Sequence, residues 1–594
     1  MNHDPELQKA IERSQRLSRQ RREILARPPH EALKAILEAQ QPAALVHSFP
    51  EEDLFFLVQE IGPEDALPLL SLAANKQWEY FLDIDSWQRD RIDLHALVRW
   101  LDRLLKADPA RFVKWFLDRK NEFFDFLLYH TIEVKIREHD QDPADLGDDF
   151  FTLDDLFYIR LVDQPAATGA EPQEDQAPTQ VSLLAHEHRK QFLSTLLERL
   201  AAFDHEIYQQ VLLEKMAGIL PAENEEEAFR LRNVRLAEKG FLPFDEAVGV
   251  YQSLKPEDLA RRRAKPAPRR PGWESLAPVP HYPLNELIRD DLFSRSLASI
   301  ADGDVLQELQ REFAALNNRI IAADQKTIRS RDELAIVVRK ACGYLSIGLK
   351  RLSGEPLPST RRRPATLIRQ YPLADIFRVG YGAALELKWE AEKFARTAWF
   401  SRVGLPLSFW GETWMGVLGG LLVKKPLYFD NYQNGVLYRE FRSLADIETT
   451  SAILKQIGDF DNLLAAIAVA PPVQADIFLT YKSMLLTLWA RHQLNLEAVV
   501  TWIPLEVFRR FFETLWEDTS APHRIRTSVK EAFLRWAAAK AGRNLRDLSQ
   551  EMGPALEELF GEIETEYGRT RVAHLDPRYL SLFLVAREKP FSTH

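Results

Sequence analysis

Leu94 to Ala107 reads LHALVRWLDRLLKA, and Leu94, Leu97, Val98, Leu101, Leu104 and Leu105 fall at the i, i+3, i+4, i+7 spacing of one apolar helix face. Outward from it the chain repeats a single device, in which proline opens a short amphipathic run: Pro50-Glu51-Glu52-Asp53-Leu54, Pro63-Glu64-Asp65-Ala66-Leu67, Asp108-Pro109 and Pro256-Glu257-Asp258-Leu259. Proline at the first helical position gives up no needed N–H, and acids in the first turn meet the exposed amides and the positive end of the helix dipole. Each is a helix start. Their unequal spacing excludes a strict tandem repeat and predicts an irregular stack of helical hairpins.

The fold class expected is all-α, a multi-unit helical stack or bundle with one small β-hairpin near 150–162. Composition agrees: 46% hydrophobic and 28% charged residues are ordinary globular usage, and glycine is scarce, with 24 among 594 residues. The hairpin is read from Phe150-Phe151-Thr152-Leu153 and Leu156 to Val162, two aromatic and β-branched runs around Asp154-Asp155. The organisation expected is a polar helix over 1–30, basic at Arg13, Arg16, Arg19, Arg21 and Arg22 and lying on the surface, then a helical-hairpin stack over 31–162 and a linker over 163–180. A helical unit over 181–255 follows, with one long helix from Leu193 to Val211. After it come a basic Pro-rich linker over 256–283, an antiparallel helix pair over 284–355 and an aromatic-rich helical domain over 356–594. In that last domain Trp389, Trp399, Trp410, Trp414, Trp489, Trp502, Trp516 and Trp536 predict a thick core.

A net charge of −11 argues against nucleic acid as a partner, since phosphate binding needs a basic face. One cysteine, Cys342, excludes an intrachain disulfide and any multi-cysteine metal site, and its apolar helical neighbours make it a buried hydrophobe. Residues 1–22 lack the apolar core of an export signal, so a cytoplasmic location is expected. Gly404 to Val423 is apolar and carries Gly416-x-x-x-Gly420, but Glu412, Pro406 and the glycines favour a buried helix over a membrane span. There is no GxxxxGK[ST] phosphate loop, and Gly380-Tyr381-Gly382 lies between helical patterns rather than after a strand. The acidic run 140–151 has Asp145 and Phe151 where an EF-hand needs Gly and Glu. His186-Glu187-His188 puts its histidines on different sides of a helix, and none of the 14 histidines completes Glu-x-x-His. No cofactor and no metal are expected.

Two polar clusters remain as candidates. In the first, Trp87, Gln88, Arg89, Asp90 and Arg91, Asp85 and Gln88 fit a capping-box helix start and Arg89 reaches Asp93 at i+4. The second is Glu133, Arg137, Glu138, His139 and Asp140. Ion pairing on a helix face accounts for either cluster without chemistry. A candidate docking tail, Arg261, Arg262, Arg263, Arg269 and Arg270, is too rich in proline and charge to join a core.

QWEYFLDIDSWQRDRID (77–93), TIEVKIREHDQDPADLGDDFFTLD (131–154), RLRNVRLAEKGFLPFDEA (230–247) and GLLVKKPLYFD (420–430) together resemble an uncharacterised bacterial family known only under a domain-of-unknown-function label. That resemblance implies no activity or catalytic residue. Pro42 to Asp93 is similar in style to the intracellular helical domain of magnesium transporters, which implies an architecture of short hairpins and not transport. The functional expectation is a non-catalytic scaffold or regulatory protein that binds other macromolecules, with protein as its partner. The alternative is an enzyme with a site around Glu133 to Asp140. An open groove favours the first; a deep pocket with convergent polar groups of shifted pKa favours the second.

Overall fold

The computed structural model describes residues 5–88, 90–118, 122–138, 141–147, 149–162, 180–216, 224–265, 279–285, 287, 290–354, 363–467, 479–517 and 522–586. Short helices dominate, as expected, and the chain divides into two compact units, residues 1–379 and 380–594.

Unit 1 begins with the helix Pro5–Leu25 and a run of short helices, Pro29–Leu37, Pro42–His47, Glu51–Ile61, Leu67–Leu72 and Asn75–Asp85. Proline opens or stands just before four of these, at Pro5, Pro29, Pro42 and Pro50; at Pro63 it opens only a turn, and the helix waits until Leu67. The Leu94–Ala107 helix follows, its apolar stripe facing inward: Leu97, Val98, Leu101, Leu104 and Leu105 are all buried. Aromatic rings fill the stack, with Trp78 edge-on to Trp115 at 5.5 Å and Phe81 5.3 Å from Trp100. Two of their polar ends are met, Trp78 Nε1 donating to the Leu70 carbonyl at 2.9 Å and Trp100 Nε1 to Asp85 at 2.8 Å, while Trp115 Nε1 has no hydrogen-bond partner among the described residues. Burying each such side chain contributes about 1.5–3 kcal/mol.

Several local expectations are corrected. The expected hairpin is one edge of a three-stranded antiparallel sheet in which β5 (Phe157–Leu161) lies between β3 (Ile132–Ile136) and β4 (Phe151–Thr152). Phe151 faces Ile159, so the turn takes four residues and not Asp154-Asp155 alone. The long helix expected from Leu193 is two, Gln180–Phe203 and His205–Met216, because Asp204 caps the second by accepting from the amides of Glu206 and Ile207. The amphipathic pair is formed by Gly303–Asp324 and Arg331–Ser353, joined through Gln325 in the left-handed region. The N-terminal helix is not wholly superficial, since Arg21 is 4% exposed.

In unit 2, Trp414 stacks on Tyr481 at 4.3 Å and Trp489 meets Phe511 and Phe533 edge-on. Two of the expected core tryptophans lie outward instead, Trp389 and Trp502 being exposed. The helix Gly411–Leu422 is buried along Gly416, Val417, Leu418, Gly420 and Leu421. Its small-residue spacing serves a hairpin: a Cβ on Gly416 would stand 2.4 Å from the Phe429 ring, and one on Gly420 2.7 Å from the Leu427 carbonyl oxygen. That hairpin pairs Tyr428–Phe429 with Tyr438–Arg439, and Tyr438 donates to the Gly416 carbonyl at 3.0 Å. Gly380 and Gly382 lie within the helix Leu373–Thr397, with no strand before them. Among the described residues no helix is long and apolar enough to cross a membrane.

Candidate functional site

Unit 1 contains a partly open pocket of about 540 Å³. Four helices supply much of its wall, each through one stripe. Glu51–Ile61 presents Glu52, Phe55 and Phe56; Asn75–Asp85 presents Tyr80 and Ile84; Asn224–Ala237 presents Phe229, Arg232, Asn233 and Leu236; Gly303–Asp324 presents Ala314, Asn318, Ile321 and Ala322. These are i, i+3, i+4, i+7 positions, so one face of each helix turns inward. The floor is buried and aromatic, with Phe55, Phe56, Tyr80 and Trp87, whereas rim residues such as Asp90, Asp245 and Lys326 are exposed.

Ion pairs inside the walls fix their spacing. Asp83, 1% exposed, accepts from Arg235 through both oxygens, Nε to Oδ2 at 2.7 Å and Nη2 to Oδ1 at 2.8 Å. Two residues on, Asp85 takes Trp100 Nε1 and, at 2.5 Å, Arg329 Nε. The helix end carrying both acids is thereby tied on two sides, leaving Ile84 between them against the pocket. Lys239 donates to Glu51 at 2.6 Å, stands 3.8 Å from Glu52 and lies over the Tyr80 ring. The next residue, Gly240, has φ +85° and comes so near the Gly303–Asp324 helix that a Cβ would sit 2.7 Å from Ala315 Cα. Asn318 secures that turn by donating to the Lys239 carbonyl at 2.7 Å.

Arg232 differs from these paired groups. Its Nε donates to the Asp83 carbonyl at 2.7 Å and its guanidinium lies 5.1 Å from the Trp87 ring centre, yet its terminal N–H groups meet no acceptor among the described residues. Burial lowers its pKa to about 10 against the attraction of Asp83, so it stays cationic at neutral pH. Burial also pushes the Glu52 carboxyl up, against the pull of Lys239. The Tyr80 phenol is held well above its usual range by burial and then by Glu52, so it remains a donor, and no acceptor meets it among the described residues. The pocket thus offers an apolar body, donors on Arg232 and Tyr80 that no described residue fills, and one buried acid, Glu52, whose pKa burial raises.

Of the sequence candidates, Trp87 and Asp90 line this pocket. Gln88 donates to Asp93 at 2.8 Å, and Arg91 pairs with Gln88 across the short strands β1 (Trp87–Gln88) and β2 (Arg91–Ile92). The capping box expected from Asp85 and Gln88 is overturned: Asp85 ends a helix, and Asp93 caps the next by accepting from His95 and Ala96. Arg89, His139 and Asp140 lie outside the described residues. Glu133 is paired across strands with Arg160, Arg137 with Asp155, and Glu138 is exposed; none lines the pocket. In the docking tail Arg262 reaches Asp375 at 2.9 Å, Arg261 lies 3.7 Å from Asp258 and Arg263 is exposed, while Arg269 and Arg270, like the linkers 163–179 and 266–278, lie outside the described residues. Cys342 is buried. Among the described residues no group of three or more His, Cys, Asp or Glu is placed to hold a metal ion.

Sequence reasoning missed Glu52, Tyr80, Arg232, Lys239 and Asn318. The signal was available: Glu52 keeps i, i+3, i+4 spacing with Phe55 and Phe56, and Arg232 with Phe229 and Leu236, so each is a charged residue inside an apolar stripe. Two of the four family-like stretches meet here, 77–93 supplying Tyr80, Asp83 and Trp87, and 230–247 supplying Arg232, Arg235 and Lys239.

This is a helical protein whose first unit encloses an aromatic pocket with unfilled hydrogen-bond donors. The chain belongs to a family of unknown function (DUF6178), whose model matches residues 9–586. No curated protein and no solved structure matches it, and the likeness of 42–93 to magnesium transporters finds no support.

Proposed function

We propose that this protein binds a small amphiphilic molecule in the unit 1 pocket, its anionic group against Arg232 and its apolar body on the aromatic floor. The observation that carries this reading is the Arg232 guanidinium: half-buried beside Trp87, cationic, and, among the described residues, without an acceptor for its terminal N–H groups. A carboxylate, sulfonate or phosphate on a guest matches the planar fork of that guanidinium with two parallel charge-assisted bonds. The volume of about 540 Å³ falls within the roughly 300–1,000 Å³ of small-molecule sites.

The test uses the full chain and two dyes of one shape, anionic 8-anilinonaphthalene-1-sulfonate and neutral N-phenyl-1-naphthylamine. One saturable site per chain is expected for both. Arg232→Gln weakens the sulfonate about tenfold or more, the worth of one charged hydrogen bond, and leaves the neutral dye unchanged. Equal loss of both dyes, or none of either, refutes the reading. A catalytic variant of it rests on Glu52, the one buried acid in the lining, as proton donor; Glu52→Gln then stops turnover while dye binding persists. A docking role for Arg261 and Arg263 is compatible with either, and neither residue reaches the pocket.

A further inference from the structure

We infer that the N-terminal helix and the turn at 279–282 form a second, separate site for a phosphate-type oxyanion. This pocket, about 240 Å³, is lined on one side by Ser14, Gln15, Ser18, Arg19, Arg21 and Arg22 of the helix Pro5–Leu25. Ser14, Ser18 and Arg21 keep i, i+4, i+7 spacing, as do Gln15, Arg19 and Arg22, so two adjacent stripes of one helix carry only polar groups. His281 and Val279 come from the turn, and Gln307 and Gln310, three apart, from the Gly303–Asp324 helix. Among the described residues, three guanidinium groups line the pocket and no carboxylate does.

Among the described residues, two buried groups in it have side-chain nitrogens without a hydrogen-bond partner. Arg21 is 4% exposed, its Nε has no hydrogen-bond partner, and the side chain makes no hydrogen bond at all among the described residues. His281 is 8% exposed and its Nε2 is likewise unmet. The nearest acid, Asp53, is already engaged: its oxygens accept the backbone N–H of His281, at 2.9 Å each, and of Tyr282 at 3.0 Å. Burial raises its pKa to about 7, so near neutral pH it is only partly ionised and offsets Arg21 incompletely. Burial, with Arg21 and Arg22 adding to it, lowers His281 to about 4, so the imidazole is neutral. A buried guanidinium with no acceptor persists at a cost unless something supplies oxygens. A tetrahedral oxyanion does, presenting several acceptors to the planar fork of Arg21 while Arg19 and Arg22 close over it from the exposed rim. The space left beside it admits the group that a phosphate monoester carries.

Calorimetry on the full chain in chloride buffer, with inorganic phosphate and then glycerol 3-phosphate as probes, is expected to find one saturable site per chain and a rise in melting temperature. Arg19→Gln with Arg22→Gln touches only exposed rim residues and is expected to keep the fold and weaken binding about tenfold or more. Arg21→Gln removes it. Co-sedimentation with phosphatidylcholine vesicles, with and without phosphatidic acid, separates the sources: retention on phosphatidic acid alone, competed by free phosphate and lost in the rim variant, assigns a lipid headgroup, and binding of the soluble probes without retention assigns a free phosphoester. Absence of saturable binding in every arm overturns the inference. So does phosphate binding that survives both the rim variant and Arg21→Gln with melting temperature intact.

Discussion

Arg235→Leu removes the guanidinium that holds Asp83 while keeping much of the side chain's bulk. Asp83 is 1% exposed and both its oxygens are taken by Arg235, so the variant leaves a buried carboxylate whose hydrogen-bonding partner is gone. An exposed ion pair would contribute about 0.2–1 kcal/mol, whereas breaking a buried one by deleting a single partner costs about 3–5 kcal/mol. Arg235 is 31% exposed and Arg232 still attracts Asp83, so the lower end, about 3 kcal/mol, is expected here. Burial already raises the Asp83 pKa against Arg235, and loss of Arg235 raises it further. A proton then neutralises Asp83 at higher pH, and the deficit of the variant shrinks as pH falls. Asp83→Asn in the same chain removes the orphaned charge and recovers part of the loss.

Because two units unfold, the loss is read locally, by hydrogen exchange in peptides from Asn75–Asp85 and Asn224–Ala237, with unit 2 peptides as internal reference. Faster exchange in both helices, partly reversed in the double variant, is the expected result. A single variant with unchanged exchange, or a double variant carrying the full sum of the two single losses, refutes the reasoning.

Asp53 gives a pH dependence. Its folded pKa of about 7 lies above the ordinary 3.8, so between those values the folded chain holds a proton that the unfolded chain has released. Stability from this group is therefore fully present at low pH and lost as pH rises through that window, by an amount on the order of 4 kcal/mol. Arg21, Glu52 and the amides of His281 and Tyr282 are the groups that face it. Melting temperature plotted against pH should fall more steeply for wild type than for Asp53→Asn, and parallel curves would refute the assignment. Gly240→Ala places a Cβ 2.7 Å from Ala315 Cα at a left-handed φ, and should cost about 1–3 kcal/mol and loosen the neutral dye in the pocket. An unchanged melting temperature would mean that the 238–243 turn stands off the helix.

Helix starts were legible where a local rule fixes them. Pro109–Asp118 and Pro256–Arg261 begin at their prolines because fixed φ and a dispensable N–H depend on nothing distant. The third strand was not legible, because Ile132–Ile136 is a strand by virtue of its partner: Val134 faces Ile159 and Glu133 faces Arg160, more than twenty positions on. The break at Asp204 shows the converse, a local cap overriding a continuous apolar period. Trp389 and Trp502 were assigned to the core by residue type alone, and type does not say which way a helix turns.

The pocket was hidden for another reason, since it draws on residues from Glu52 to Leu334 and no single stretch contains it. What each stretch did contain was a charged residue within an apolar stripe, and such a residue must be answered across the core. Asp83 is answered by Arg235, and Lys239 by Glu51 and Glu52. Among the described residues, Arg232 is answered only at Nε, and Arg21 makes no hydrogen bond. The first two pairs account for themselves as struts between helices. Among the described residues these two cations, Arg21 buried and Arg232 half-buried, keep donors left over and each stands at the wall of a pocket, and that placement is the physical ground on which ligands are proposed.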